Sequence, residues 1–248
     1  MSKDDLYCSR CGAKKIDEVL TLKAIGKEVQ ERYLELDSAL LLTFLDLFRK
    51  PEAVADGYIN GLRKRYMPLS NYFALAITLT GLLFVFAKKI NPQDFVIPEA
   101  SSSMENIMAQ FNLVFEYQGL INLILLPLGA LMTKLVFIDK KKYNYVGHLV
   151  WNGFYIAQTF IAVFLFSLIP VLLGADYFLI TNLPTIPVLL YYVWMIKRLY
   201  AMGWWEAIGR FLLYMVAYII LVIGVMAIAG IGFALYLLAT DQGQNISV

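Results

Sequence analysis

The apolar positions of this chain fall into long, nearly unbroken runs, and the first of them begins only at Leu69. A helix crosses a hydrocarbon layer with about 20 apolar residues, and five segments reach that length. They run over 69–87, 119–137, 148–173, 177–196 and 211–239. The fifth is longer than a crossing needs, so it is expected to tilt or to extend past the interface. Polar positions gather ahead of the first run: residues 1–68 hold 12 of the 21 Lys+Arg and 11 of the 19 Asp+Glu. The pattern therefore predicts an all-α polytopic membrane helix bundle. A head over 1–68 precedes five transmembrane helices within 69–239, and a short tail covers 240–248.

Shorter amphipathic stretches complete the outline. "LDSALLLTFLDLF" has Asp37 or Ser38 as an N-cap candidate. Pro51 suits the first turn of a following helix, with Glu52 near its positive end. Between spans four and five, "RLYAMGWWEAIGR" sets Trp204 and Trp205 where indoles favour headgroup depth. These stretches are expected either to lie along the inner leaflet or to pack on the bundle. The segment 88–118 reads as a loop followed by a short helix.

Charge adds an orientation. Arg49, Lys50, Arg63, Lys64, Arg65, the run Lys140–Lys142, Lys197, Arg198 and Arg210 all fall on one side of a five-span layout. An even number of spans would divide them. Only Lys88 and Lys89 fall opposite, beside acids. The positive-inside rule then puts the N-terminus in the cytoplasm and the C-terminus outside. The first residues carry no secretory signal pattern, which agrees with a cytoplasmic head.

With 60% hydrophobic residues, the composition excludes an ordinary soluble domain. Acids nearly balance bases in the head, so no nucleic-acid partner is expected. The expected partners are the lipid bilayer, anionic lipid and a protein on the cytoplasmic face. Arg63, Lys64, Arg65 and Tyr66, with Trp204 and Trp205, are the candidate lipid- or partner-binding residues. Each base there is worth about 1 kcal/mol of attraction to an anionic surface.

Candidate chemistry is sparse. Cys8 and Cys11 have knuckle spacing, but a closed zinc site needs four ligands and these are the chain's two cysteines. The pair reads as vestigial, with no cofactor in one chain; zinc would require a second chain to complete the site. Polar residues inside the spans are His148, Asn152, Gln158, Asn122, Asn182 and Thr185. Such groups bond between helices or mark a path through the membrane. Asn182, Thr185, Gln158 and His148 are the candidate polar intramembrane site. "TNLPTIP" in span four is the most irregular stretch, because Pro184 and Pro187 each remove a helical donor. Gly224, Ala227, Gly230 and Ala234 form a small-residue face for close packing or a homodimer. No Walker loop, His-Glu-x-x-His or Gly-x-Ser-x-Gly is present.

"LDSALLLTFLDLFRKPEAVADGYINGLRKRYMPLSNYF", with "YCSRCGAKK", "LTLKAI" and "YNYVGHLVWNGFY", resembles an uncharacterised bacterial membrane family, domain of unknown function 3667. Thr43, Pro51, Tyr58, Gly61, Arg63, Tyr66 and Pro68 match its recurring pattern. The resemblance implies a pair of N-terminal zinc knuckles, of which Cys8 and Cys11 match the second; the first has no counterpart here. It also implies an acid before the histidine matching His148 and a second histidine downstream. Gly147 stands in place of the acid, and "NGFYIAQ" lacks the histidine. The five-span layout with a cytoplasmic head is similar to Yip-type membrane adaptors, an analogy of architecture alone.

Three functions follow as expectations. The first is a non-enzymatic membrane scaffold or adaptor acting on the cytoplasmic face. The second is a small-solute or lipid carrier or channel, with its site near the irregular fourth span. An enzyme comes last, because the sequence offers no nucleophile with a base.

Overall fold

The computed structural model of the protein describes residues 39–61, 65–96 and 112–244, with side chains described through Gly224 and at Ala227. Cys8, Cys11, Asp37, Ser38, Arg63 and Lys64 lie outside the described residues, and Gly230 and Ala234 lie outside the described side chains. Among the described residues every regular element is helical. Two short helices, α1 (residues 39–49) and α2 (Pro51–Ile59), lead into α3 (Leu69–Ile90). A 3₁₀ turn at Pro92–Phe95 follows, then α4 (residues 112–116) and α5 (Gln118–Val136). The chain continues through α6 (Tyr145–Leu172), α7 (Tyr177–Asn182), α8 (Thr185–Tyr200) and α9 (Trp204–Gln244).

Five helical stretches are long and apolar enough to cross a membrane: Leu69–Ile90, Gln118–Val136, Tyr145–Leu172, Tyr177–Tyr200 and Trp204–Gly224. They correspond to the five apolar runs. The fourth consists of α7 and α8 and is broken between them.

Helix α6 is the centre of the bundle and packs on α2, α3, α5 and α7. The helices approach closely where side chains are absent. A Cβ on Gly119 of α5 would lie 2.8 Å from Cγ2 of Ile77 on α3, so only glycine permits that spacing.

One end of the bundle gathers the bases, and they are cross-linked. Arg198 of α8 pairs with Glu52 of α2 at 2.5 Å, and Lys142 pairs with Asp56 of α2 at 3.0 Å. Arg210 of α9 holds Asp139 at 2.5 Å, and Lys140 pairs with Glu206 at 2.8 Å. The bases that suggest an orientation are thus also ties between α2, α8, α9 and the segment joining α5 to α6. At the far end, Asn91 donates to the Gly174 carbonyl at 2.7 Å, and the Tyr177 N–H donates to Asp94 at 3.0 Å.

The structure decides between the alternatives for two local stretches. "RLYAMGWWEAIGR" is not a separate interfacial helix. Helix α8 continues to Tyr200, Ala201 closes it in the left-handed region at φ 50°, and α9 begins at Trp204. Glu206 in the first turn of α9 favours that start through the helix dipole. Trp204 and Trp205 remain exposed, at 52% and 87%. The two short head helices, for their part, pack on the bundle: Leu47, Val54 and Ala55 are fully buried. The polar groups of α1 contribute, since Thr43 accepts from the Met67 N–H and Asp46 from the Tyr66 hydroxyl in the chain that enters α3. Pro51 and Glu52 occupy the first turn of α2 as expected.

Candidate functional site

The break in the fourth span follows from its prolines. Leu183 makes the last bond of α7, donating to the Leu179 carbonyl at 3.0 Å. Pro184 has no N–H for the Ile180 carbonyl, and Pro187 has none for Leu183, so two carbonyls lose their helical donors. Nearby side chains turn back on their own helices. Thr181 donates to the Tyr177 carbonyl at 2.7 Å and Asn182 to Phe178 at 2.7 Å. Thr185 donates to the Asn182 carbonyl at 2.6 Å.

Two adjoining clefts open at this break. The first, about 220 Å³, is lined by Thr80, Gln118, Thr159, Thr181, Asn182 and Thr185, and by the rings of Phe115, Phe160, Phe164 and Tyr177. Phe115 and Gln118 flank the junction between α4 and α5, so a second helix junction meets the same space. The second cleft, about 440 Å³, is lined by Phe48, Ala162, Val163, Phe166, Leu183 and Pro187, with Gln158 and Tyr191. Thr159, Val163, Pro184 and Val188 belong to both walls. The second cleft opens on the side of the bundle, where Phe48, Phe166 and Leu183 are 41%, 48% and 60% exposed. A concave site with apolar walls and a few convergent polar groups suits a small ligand.

The wall formed by α1 is held by polar bonds. Gln158 of α6 is fully buried. Its amide donates to the Phe44 carbonyl at 3.1 Å, and its oxygen accepts from the Tyr72 hydroxyl. Thr43 donates to the Ala39 carbonyl at 2.7 Å and accepts from the Met67 N–H at 2.9 Å. The Tyr66 hydroxyl donates to Asp46 at 3.0 Å. Burial, then the Asp46 carboxylate, raises the Tyr66 hydroxyl above its ordinary range. Tyr66 was expected at a lipid-facing surface, but it is 3% exposed and serves this joint. Tyr58 packs edge-on against Phe154 at 5.5 Å. Gly61 closes the turn after α2 at φ +95°, which side chains rarely adopt.

Thr43, Tyr58, Gly61 and Tyr66 are thus fold-determining residues of one continuous segment. The model of a family described as "Protein of unknown function (DUF3667)" matches residues 37–81. The segment is similar to that family, and the match covers less than half of the chain. No curated protein and no solved structure matches the chain. In the fold, the described part of the DUF3667 segment comprises α1, α2 and the first half of α3, and its Phe48 walls the second cleft.

His148 lies elsewhere, at the basic end, 2% exposed. Thr133 gives its single proton to the Ala130 carbonyl at 3.0 Å and accepts from Asn152 at 2.9 Å. Its remaining acceptor faces His148 Nδ1 at 3.0 Å, so Nδ1 carries the proton. Nε2 is then an acceptor facing the Tyr200 hydroxyl at 3.4 Å. Both ring nitrogens are engaged, and neither faces a carboxylate. Among the described residues no group of three or more His, Cys, Asp or Glu could hold a metal ion.

The structure therefore joins Asn182 and Thr185 at one cleft, sets Gln158 in the wall of the adjoining one, and assigns His148 to a separate joint. At the basic end, Arg65 lies 5.6 Å from the Tyr66 ring and Lys197 lies 4.9 Å from the Trp204 ring. Thr80, Gln118, Thr159 and Thr181 were not singled out from sequence. A threonine in a span gives no signal until a neighbouring helix withdraws from it.

Proposed function

We propose that the protein is a membrane-embedded binding protein or carrier for a small amphiphile, held in the paired clefts at the interrupted fourth span. One observation carries this reading: the break at Leu183–Pro184 faces a cleft with polar groups that continues into an apolar cleft open to the side. Interrupted spans supply ligand sites in transporters because freed backbone groups face a protein-lined space. The positive-inside rule supports an orientation with the basic end in the cytoplasm. No catalytic step or cofactor forms part of this function.

A photoreactive amphiphile with a diazirine on its chain tests the reading in purified protein. Adducts should concentrate on α7, the first turns of α8 and the middle of α6. Val163→Trp, which fills the shared wall, should reduce them at least fivefold. Labelling spread evenly around the bundle, and unchanged in Val163→Trp, would reject the reading.

A scaffold or adaptor role is the second reading, favoured by the exposed Trp204 and Trp205 at the basic end. Pull-down from gently solubilised membranes tests it. Specific enrichment lost in Trp204→Ala/Trp205→Ala would support it, and no enrichment would count against it.

A further inference from the structure

We infer that the ligand of the paired clefts carries an ammonium head on a single apolar chain. The inference rests on the binding reading above and names the chemistry that the walls select.

The first argument concerns where protons go. Thr80 and Thr159 donate to the carbonyls of Ala76 and Ile156, at 2.8 and 2.8 Å. Thr181 and Thr185 likewise donate to their own helix or its neighbouring turn, at 2.7 and 2.6 Å. A hydroxyl has one proton and two lone pairs, so each of these four presents acceptor capacity. Asn182 directs its amide nitrogen to Phe178 at 2.7 Å, which leaves its carbonyl oxygen for other partners. The first cleft is thus rich in acceptors.

The second argument is independent of hydrogen bonding. Phe115, Phe160, Phe164 and Tyr177 line the same cleft. The face of an aromatic ring carries negative potential and attracts a cation. Acceptors and aromatic rings together favour a head that is positive and donates protons.

Among the described residues, no Asp, Glu, Lys or Arg lines either cleft. A small inorganic cation would gain no carboxylate there, whereas an ammonium retains several donors and a soft contact with the rings. Some donors oppose the assignment. Helix α8 starts at the break, where the N–H groups of Thr185 and Ile186 favour an anion, and Pro187 lacks the third. The Gln118 amide, the Tyr177 hydroxyl and the second N–H of Asn182 also belong to this wall. The four threonine oxygens, the Asn182 oxygen and the rings weigh on the other side.

The second cleft supplies the rest of the ligand. It shares Thr159, Val163, Pro184 and Val188 with the first, and its other walls are mainly apolar. A chain leaving the head can follow it to the lateral opening at Leu183. The head could belong to a simple alkylammonium or to an ethanolamine headgroup of a lipid, and both present the same donors.

Competition against the photoreactive amphiphile tests the inference on the intact chain. The competitors share a twelve-carbon chain: dodecylammonium, dodecyl sulfate and dodecyl maltoside. A fourth, lysophosphatidylethanolamine, separates the lipid source from the simple amine. At least one ammonium competitor should displace the probe at a concentration at least tenfold below the sulfate and the maltoside. In Asn182→Leu/Thr185→Val that preference should shrink at least threefold while labelling by the probe persists. Equal competition by all heads, or preference for sulfate, with labelling still confined to the clefts, would overturn the ammonium assignment and leave the cleft reading standing. Labelling not confined to the clefts would overturn both.

Discussion

The side-chain amide of Gln158, halfway along the central helix, donates to the backbone carbonyl of Phe44 at 3.1 Å, joining positions 114 residues apart. This bond holds α1 against the middle of α6 and so forms the wall of the second cleft. Gln158→Leu removes the partner of two groups, the Phe44 carbonyl and the Tyr72 hydroxyl. The expected cost is about 2–4 kcal/mol, since each buried orphan costs about 1–3. Reversible unfolding in detergent measures it. A change below about 0.5 kcal/mol would mean that α1 is not held there.

Two buried tyrosines should respond with opposite signs. Tyr72, fully buried, gives its proton to Gln158. Tyr192, 2% exposed, has no partner for its hydroxyl among the described residues. Tyr72→Phe should destabilise by about 1–2 kcal/mol, whereas Tyr192→Phe should be neutral or stabilise by up to about 1, because it removes an unmet buried group. Equal losses in the two variants would indicate that Tyr192 has a partner in solution.

Gly61 tests the backbone of the DUF3667 segment by itself. A Cβ placed there meets nothing within 4 Å among the described residues, yet φ is +95°. Gly61→Ala and Gly61→Val should therefore both destabilise, by about 1–3 kcal/mol, through strain rather than collision. A neutral Gly61→Ala would show that the turn relaxes freely.

The pairing of Arg210 with Asp139 gives an acid dependence. The Arg210 guanidinium beside Asp139 holds its carboxyl below the usual carboxylate range. A lowered folded-state pKa contributes stability at pH values above the unfolded value, about 3.9. That contribution is lost as the pH falls through the lowered folded value. Melting temperature should thus fall more steeply below about pH 4 in the wild type than in Asp139→Asn. Identical acid limbs would exclude the pair as a contributor. Salt should weaken it as well, because Asp139 is exposed.

Much of the architecture was legible in residue order. Five apolar runs dictated five helical spans, because a helix is the simplest segment that satisfies its own backbone in hydrocarbon. Pro184 and Pro187 marked the irregular span, and Pro51 with Glu52 marked the start of α2. Trp204 and Trp205 were legible as exposed residues, though not as the first turn of α9.

Tertiary structure decided the rest, since it concerns which groups meet. Nothing local distinguishes Gln158 from His148 or Asn182. Gln158 is a joint because Phe44 and Tyr72 converge on it, His148 because Thr133 and Tyr200 do. Asn182 instead lines a cleft because the neighbouring helices stand back from it. Tyr66 appeared destined for the surface beside its basic neighbours until Asp46, twenty positions earlier, received its hydroxyl. The sequence by itself determined the number of apolar spans and which of them is irregular, both properties of consecutive residues. The clefts, their polar and apolar walls and the joints that hold them depend on contacts between distant helices, which only the packed bundle supplies.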